Sequence, residues 1–329
     1  MMGKMPRQGV TMPRQRRVLL VACLALAALC AACTGPANRG SHPPPPGRAD
    51  ATITVGSFDF PESVLLAHIY AGALAAKGFP VRVMPDLGTR ELVDPALMSG
   101  LIQLVPEYTG SALDFLSLGR LAATSNAAAT YRALTRSAER RGLVAAQPAP
   151  AQDANAIVVT AATAARYHLR SIADLLKVAP RLVFGGPPEC QERADCLLGL
   201  KRMYGLRFKT FVATDTGGPV TLEALTDGQI GAALLFTTDP GIAARHLVIL
   251  ADSRALQPAE NITPLVRRST IERYGPRLLV TLNAVSARLT TKTLSYLNGR
   301  VQLHGVNPRT VASGWLRAQA LIPERQDVP

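Results

Sequence analysis

An α/β fold of two lobes with a ligand cleft between them is predicted by three features of this chain. From residue 52, short β-branched runs alternate with Ala/Leu-rich helical stretches, the pattern of α/β units on a largely parallel sheet. Two proline-bearing segments, Gln147-Pro148-Ala149-Pro150 and Gln257-Pro258, fall where the chain would cross between lobes. After the second segment the remainder is mainly helical, which suggests a return to pack on the first lobe. A ligand cleft then lies at the strand ends between the lobes.

The elements follow in order. Thr52–Gly56 reads as a strand, and Glu62–Lys77 as a helix with Leu65, Leu66, Ile69, Ala73 and Ala76 on one face. Val81–Met84 is a second strand, Glu91–Ser99 a helix, Ile102–Val105 a third strand and Ala127–Gly142 a helical region. The next group reads as strands at Ala156–Thr160, Leu182–Phe184, Thr210–Ala213, Ile230–Phe236 and Leu247–Leu250. Helices at Ser171–Leu176, Cys196–Tyr204 and Val220–Asp227 are interleaved with them. Beyond the strand Ile262–Val266, helices are expected at Thr270–Tyr274, Ala287–Leu297 and Thr310–Leu321. Trp315, the single tryptophan, falls in the last of these and is expected to be structural. The organisation predicted is a signal over 1–33, a tether over 34–50, a first lobe over 51–154, a second over 155–255, and a return to the first over 256–329.

Residues 1–33 have the form of a secretory signal. A basic start ends at Arg16-Arg17, and a 15-residue apolar run, Val18 to Ala32, precedes Cys33. As a helix this run rises only about 22 Å, short of a ~30 Å hydrocarbon core, so a permanent span is not expected. The stretch Cys30-Ala31-Ala32-Cys33-Thr34-Gly35 resembles a bacterial lipobox, with Cys30 where an aliphatic residue is usual. Lipidation of Cys33 on the outer face of the cell membrane is therefore expected; the alternative is an ordinary cleaved signal that frees the protein. Pro43-Pro44-Pro45-Pro46 makes residues 34–50 a stiff, extended tether. Arg16-Arg17 hints at twin-arginine export.

The chain has 329 residues, 48% apolar and 18% charged, a composition that excludes disorder of the mature part. Its formal charge is +13, but Lys4, Arg7, Arg14, Arg16 and Arg17 precede Cys33 and leave +8 without them. The remaining basic residues are scattered among acids, with no stripe or motif that would bind nucleic acid. Of five cysteines, Cys190 and Cys196 remain after Cys23, Cys30 and Cys33 are assigned to the leader and its cleavage site. In an oxidising compartment this even pair is expected to form a local disulfide. The five histidines are isolated from each other and from cysteine, so no metal site is expected.

No Gly-x-Ser-x-Gly elbow, His-Glu-x-x-His pair or Walker loop occurs. Ser57 is the best nucleophile candidate but has no base nearby, and Asp59 and Glu62 read as acids favoured at a helix N-terminus. The chain is not expected to be an enzyme or to need a cofactor.

Three stretches carry a specific resemblance: Val55-Gly56-Ser57-Phe58-Asp59-Phe60-Pro61-Glu62-Ser63, Asp86-Leu87-Gly88-Thr89-Arg90-Glu91, and Leu104-Val105-Pro106-Glu107-Tyr108-Thr109-Gly110-Ser111-Ala112-Leu113. With Phe184-Gly185-Gly186-Pro187-Pro188-Glu189 and Phe236-Thr237-Thr238-Asp239, the chain over about residues 52–270 resembles the glycine betaine/choline/carnitine-binding proteins of osmoprotectant ABC importers. The Asp-Phe-Pro-Glu-Ser stretch and Ala-rich composition are similar to actinobacterial members. The resemblance implies a two-lobed periplasmic-binding-protein fold of type II and an ABC permease with its ATPase as partners. It also implies a small-molecule ligand held in a cage of aromatic faces, where cation–π attraction supplies about 0.5–2 kcal/mol per ring.

Carried over residue by residue, the candidate binding set is Phe58 and Asp59 after the first strand, Arg90, and Tyr108, Thr109 and Ser111 in the loop after the third strand. Across the cleft it includes Asn155, Phe236 and Asp239. Phe60 reads instead as a core residue. Two departures bear on the ligand. The segment Asn155-Ala156-Ile157 stands where the family often has Asn-Thr-Tyr, and Leu256 stands near an expected aromatic. Arg90 would repel a quaternary ammonium and pair with a carboxylate or phenolate. A surface lipoprotein that senses or presents a small acidic or phenolic ligand is therefore the alternative function, and a secreted enzyme a second one.

Overall fold

The computed structural model describes residues 52–215 and 217–324; the leader, Cys33 and the tether lie outside them. Within the described residues ten strands divide into two five-stranded sheets. The first sheet has β1 (Ile53–Gly56), β2 (Val81–Met84), β3 (Leu104–Tyr108), β4 (Leu143–Ala145) and β10 (Ile262–Arg267), in the order β2-β1-β3-β10-β4. The second has β5 (Asn155–Thr160), β6 (Val183–Gly186), β7 (Thr210–Ala213), β8 (Ala232–Phe236) and β9 (Leu247–Ile249), in the order β7-β6-β8-β5-β9. These are two α/β lobes within one unit, as the alternation of elements predicts.

The sheets are mixed rather than largely parallel. In the first, β1 runs parallel to β2 and β3, whereas β10 is antiparallel to β3 and β4. In the second, β6 is parallel to β7 and β8, whereas β5 is antiparallel to β8 and β9. The exceptions have one cause. β5 and β10 are the strands entered directly from a crossing, so each starts at the cleft, where the parallel strands end. Ile262 is thereby set opposite Tyr108, and Asn155 opposite Phe236. The two crossings, residues 146–154 and 250–261, run side by side. Gln152 bridges Asn261, and the Asp153 amide donates to the Glu260 carbonyl at 3.0 Å.

Strands buried on both faces read as continuous apolar runs. Along β5, Ile157 and Val159 enter one core cluster while Ala156 and Val158 enter another; Ala232 with Leu234 and Ala233 with Leu235 divide likewise along β8. This period of two covers the second sheet on both sides.

In the first lobe the helices include α1 (Pro61–Ala76), α2 (Arg90–Ser99), α3 (Thr109–Ser117) and α4 (Ala127–Glu139). The second lobe carries α5 (Ala161–Tyr167), α6 (Leu197–Tyr204), α7 (Pro219–Thr226) and α8 (Pro240–Ala244). The chain closes with α9 (Arg268–Tyr274), α10 (Arg277–Ser286), α11 (Thr291–Gln302) and α12 (Pro308–Ala318). These last helices return to the first lobe, where Leu282, Leu294, Trp315 and Leu316 join its core. Helix α1 is buried beyond its expected face, because the C-terminal helices cover its other side; Tyr70 meets the Ser286 hydroxyl at 2.9 Å, while Ala76 is exposed. The helix expected over Ala287–Leu297 is instead a turn that follows α10 and the first part of α11. Thr290 sets that break by accepting from the Thr293 amide as an N-cap.

Candidate ligand-binding site

At the end of β1 the chain turns sharply into α1. Ser57 is fully buried; its hydroxyl donates to the Phe58 carbonyl and accepts from the Asp86 amide at 3.0 Å. Ser63 accepts from the Phe58 amide at 2.9 Å, and Pro61 sets the first helical turn. These bonds turn Phe58 inward, leaving it 2% exposed, and present Phe60, 37% exposed, to the cavity between the lobes. Phe58, the residue carried over as facing ligand, therefore stands behind Phe60, and Phe60 is not a core residue. The two rings are parallel at 5.8 Å, and Tyr108 lies 6.1 Å from Phe60.

The Pro-Glu-Tyr-Thr-Gly-Ser run ends a strand and starts a helix without an intervening loop, since α3 begins at Thr109. From Glu107 to Ser111 each residue meets a partner outside the run. Glu107, 0% exposed, receives Arg90 through Nε at 2.7 Å and Nη2 at 3.1 Å. The Tyr108 hydroxyl donates to Glu62 at 2.8 Å. Thr109 is buried away from the cavity and donates to the Asn261 carbonyl at 2.7 Å. Gly110 leaves room for the crossing segment, because a Cβ there would stand 2.9 Å from Glu260 Oε1. Ser111 does line the cavity, but its amide and hydroxyl both donate to Glu260, at 3.1 and 2.8 Å.

Arg90 therefore differs from the free cation read from the sequence. Burial opposes its charge, but Glu107 outweighs that and holds the guanidinium above its ordinary pKa. Asp94 beside the pair is pushed up to about 9 by burial and then by the charge of Glu107, so it is neutral at pH 7. The cluster balances itself. Arg90 also lies over the Phe58 ring at 5.1 Å.

At the crossings, Asp153 accepts from the Thr238 hydroxyl at 2.6 Å, and Asn298 of α11 donates to Glu62 at 2.5 Å. Burial raises the pKa of both Glu62 and Asp153, and the charge of Glu62 raises Asp153 further. Burial and mutual repulsion favour the protonated form of each, against the hydrogen bonds that favour the charged one. Glu62 is thus part of the cavity wall, and not merely an acid placed at a helix start. Glu260 is pushed up to about 7 by burial, against the opposing hydrogen bonds from Ser111.

The second lobe supplies the facing wall. Phe236 is half-buried, and Gly217 packs so closely on its ring that a Cβ there would lie 2.6 Å from Cδ2. Asn155 donates to Asp195 at 2.9 Å. Asp239 caps α8 by accepting from the Gly241 amide at 2.7 Å, and burial pushes its carboxyl up to about 6. Cys190 and Cys196 are bonded, with Cα atoms 5.2 Å apart, and close the loop that carries Arg193 and Asp195 to the cavity. Ile157 and Leu256, at the positions where the resemblance implies aromatics, are buried in the second-lobe core.

These walls enclose about 550 Å3, a volume typical of small-molecule sites. Of the expected set, Asp59, Arg90, Tyr108, Ser111, Asn155, Phe236 and Asp239 line it, while Phe58 and Thr109 stand behind it. Sequence reasoning missed the contributions of Phe60, Glu62, Asp153, Glu260 and Asn298 to the wall. The lining carries six carboxylates, Asp59, Glu62, Asp153, Asp195, Asp239 and Glu260, against two guanidiniums, Arg90 and Arg193. Arg193 is itself 3.3 Å from Glu189. An acidic cavity with aromatic faces is suited to a cation.

Residues 51–318 match the family described as the substrate-binding domain of the ABC-type glycine betaine transport system. The chain is 31% identical over 281 residues to the glycine betaine-binding protein YehZ of Escherichia coli strain K12, covering 83% of this chain and 92% of that protein. It is 28% identical over 307 residues to a glycine-betaine-binding protein of Pseudomonas aeruginosa, covering 91% and 96%. A solved glycine betaine/carnitine/choline ABC transporter structure shares the fold at a TM-score of 0.73, with 22% identity over 82% of this chain and 99% of that one. The chain belongs to the family of extracytoplasmic, non-enzymatic substrate-binding proteins that serve glycine betaine/choline/carnitine ABC importers.

Proposed function

We propose that this protein captures a small quaternary ammonium solute in the cleft and delivers it to a membrane permease driven by an ATPase. The observation that carries this reading is the pairing of aromatic faces, Phe60, Tyr108 and Phe236, with an acid-rich lining that leaves Arg90 neutralised. The cation gains from ring quadrupoles and from the carboxylates in a partly dry space. Residues of both lobes line the cavity, so a ligand that contacts both stabilises the closed arrangement. The adjacent crossings are where such closure would hinge. No bond in the ligand breaks.

The neutralised Arg90 disfavours the alternative acidic or phenolic ligand. YehZ and the Pseudomonas protein are named for binding glycine betaine, which supports the same class here. The leader, Cys33 and the proline tether support export, lipid attachment at Cys33 and a domain held off the membrane, and the Asp59-Phe60-Pro61-Glu62-Ser63 stretch with the Ala-rich composition supports an actinobacterial member.

A thermal-shift screen of residues 50–329 against choline, glycine betaine, carnitine, ectoine, polyols and phenolic acids tests the ligand class. A quaternary ammonium should raise the melting temperature by mass action. A response confined to phenols or acids would refute it. For the anchor, radiolabelled lipid should be incorporated into the full chain and lost in Cys33→Ala; equal labelling of both would refute attachment there.

A further inference from the structure

We propose that the end of the first lobe opposite the cleft is a lipid-facing surface, which settles reversibly on the anionic headgroups of the membrane that carries the anchor. This rests on the reading of the chain as an exported protein anchored at Cys33, and adds which face of the domain meets the membrane.

Strand direction builds this end. β1, β2 and β3 finish at the cleft, so their starts lie at the far end, and β10, antiparallel to β3, finishes there. Segments distant in sequence meet at it. The amides of Ile53, Arg267 and Arg268 donate to the carbonyls of Pro80, Gln103 and Gly142 at 2.8, 3.0 and 2.9 Å. Arg277 donates to the Lys77 carbonyl and lies 4.7 Å over the Phe79 ring. Residues 76–82, 99–103, 139–142 and 267–277 make up this end, and carry eight basic residues against two acids, Glu139 and Glu272. Lys77, Arg82, Arg140, Arg141, Arg268 and Arg277 are exposed. Basic residues scattered along the chain are collected on one face by folding.

Their charge is not spent within the protein. Neutral acceptors hold the guanidiniums in place: the Thr54 hydroxyl holds Arg82 at 2.7 Å, the Ser137 hydroxyl Arg140 at 3.2 Å and the Leu116 carbonyl Arg141 at 3.3 Å. Among the described residues none of the six exposed side chains is in an ion pair. Helices α1, α2, α3 and α4 end here, and basic residues complement helix C-termini. Four such ends carry only roughly −0.5 of an elementary charge each, which leaves most of the excess for a partner. The tether says which partner. The chain enters the domain at this end, and the 19 residues from Thr34 to Thr52 reach about 60 Å when extended. The face at which the tether enters needs the least of that reach to touch the membrane. An anionic lipid surface favours each Lys or Arg near it by about a factor of five. The cleft, at the other end of the lobe, stays open to solute.

Flotation of residues 50–329, which lack Cys33, with vesicles of phosphatidylglycerol and phosphatidylcholine in equal parts tests this. At about 50 mM salt the domain should float with these vesicles and stay behind with phosphatidylcholine alone, and about 500 mM salt should release it. The variant Arg140→Gln/Arg141→Gln/Arg268→Gln should weaken the partition at least about tenfold. Lys201→Gln/Arg202→Gln/Arg207→Gln, an equal change of charge on exposed residues of the second lobe, should weaken it less than about threefold. Urea unfolding checks that both variants fold as wild type does. Equal losses in the two variants would overturn the assignment to this face. Failure to float with the mixed vesicles, or equal flotation with phosphatidylcholine alone, would overturn the lipid contact. Lipid labelling of the full chain reads the anchor separately: a labelled chain whose domain does not float refutes this surface alone, and an unlabelled chain whose domain floats refutes the anchor alone.

Discussion

Replacing Arg90 with alanine should destabilise the first lobe by about 4 kcal/mol at pH 7, and the loss should fall to about 2 kcal/mol at pH 5. Glu107 is fully buried and meets Arg90 through two charge-assisted hydrogen bonds. Without Arg90, Glu107 either buries an uncompensated charge, at about 3–5 kcal/mol, or takes up a proton. The second route sets a ceiling. Holding a proton on a glutamate at pH 7, against an ordinary value of about 4.3, costs about 3–4 kcal/mol at 1.36 kcal/mol per unit. The Tyr108 amide still donates to Glu107 and favours the lower part of that range. At pH 5 the proton costs about 1 kcal/mol, and the lost contact with Phe58 adds a comparable, pH-independent amount. The assay is urea unfolding followed by Trp315 fluorescence. The single tryptophan is buried in the first-lobe core, so it reports that lobe. The double variant Arg90→Ala/Glu107→Gln should recover about 2 kcal/mol at pH 7, since the stranded charge is gone. A loss that is the same at pH 5 and pH 7, or a double variant no better than the single, would refute the reasoning.

Glu260 imposes the opposite pH dependence on wild-type stability. Its folded value of about 7 lies above the ordinary 4.5, so the native state binds the proton more tightly than the unfolded chain. Stability therefore falls as pH rises from about 4.5 to about 7 and levels off above; the stability of wild type minus that of Glu260→Gln should drop by about 3 kcal/mol over this window in paired urea titrations. Phe60→Ala should weaken choline binding several-fold with little change in melting temperature, whereas Phe58→Ala should cost about 3–5 kcal/mol of stability through the cavity it leaves; titration calorimetry and unfolding read the two separately. Removing the Cys190–Cys196 bond by a double alanine substitution should cost about 2 kcal/mol, as expected for a short closed loop, and should be seen in calorimetric melting of the oxidised protein against the variant.

The alternation of strands and helices, the two proline-marked crossings and the helical return were legible in the chain, because each rests on local periodicity and on where proline interrupts it. The Pro-Glu-Tyr-Thr-Gly-Ser run was also visible as a site signal, with Tyr108, Thr109 and Ser111 expected at the ligand, yet Tyr108 is bonded to Glu62 and the other two to the crossing segment. The exchange between Phe58 and Phe60 was not legible. They are two residues apart on one turn, and only the bond from the Phe58 amide to Ser63 decides which ring faces in. Nor could the sequence reveal that Arg90 is neutral in effect, since its partner lies on another element. Glu62 meets Asn298 across 236 positions and Gly110 meets Glu260 across 150. The sequence by itself determined the two α/β lobes and the alternation of their elements. Only the tertiary structure decided the cleft's charge, because the effective charge of a buried side chain depends on the partners within a few ångströms, and those partners are brought there by folding.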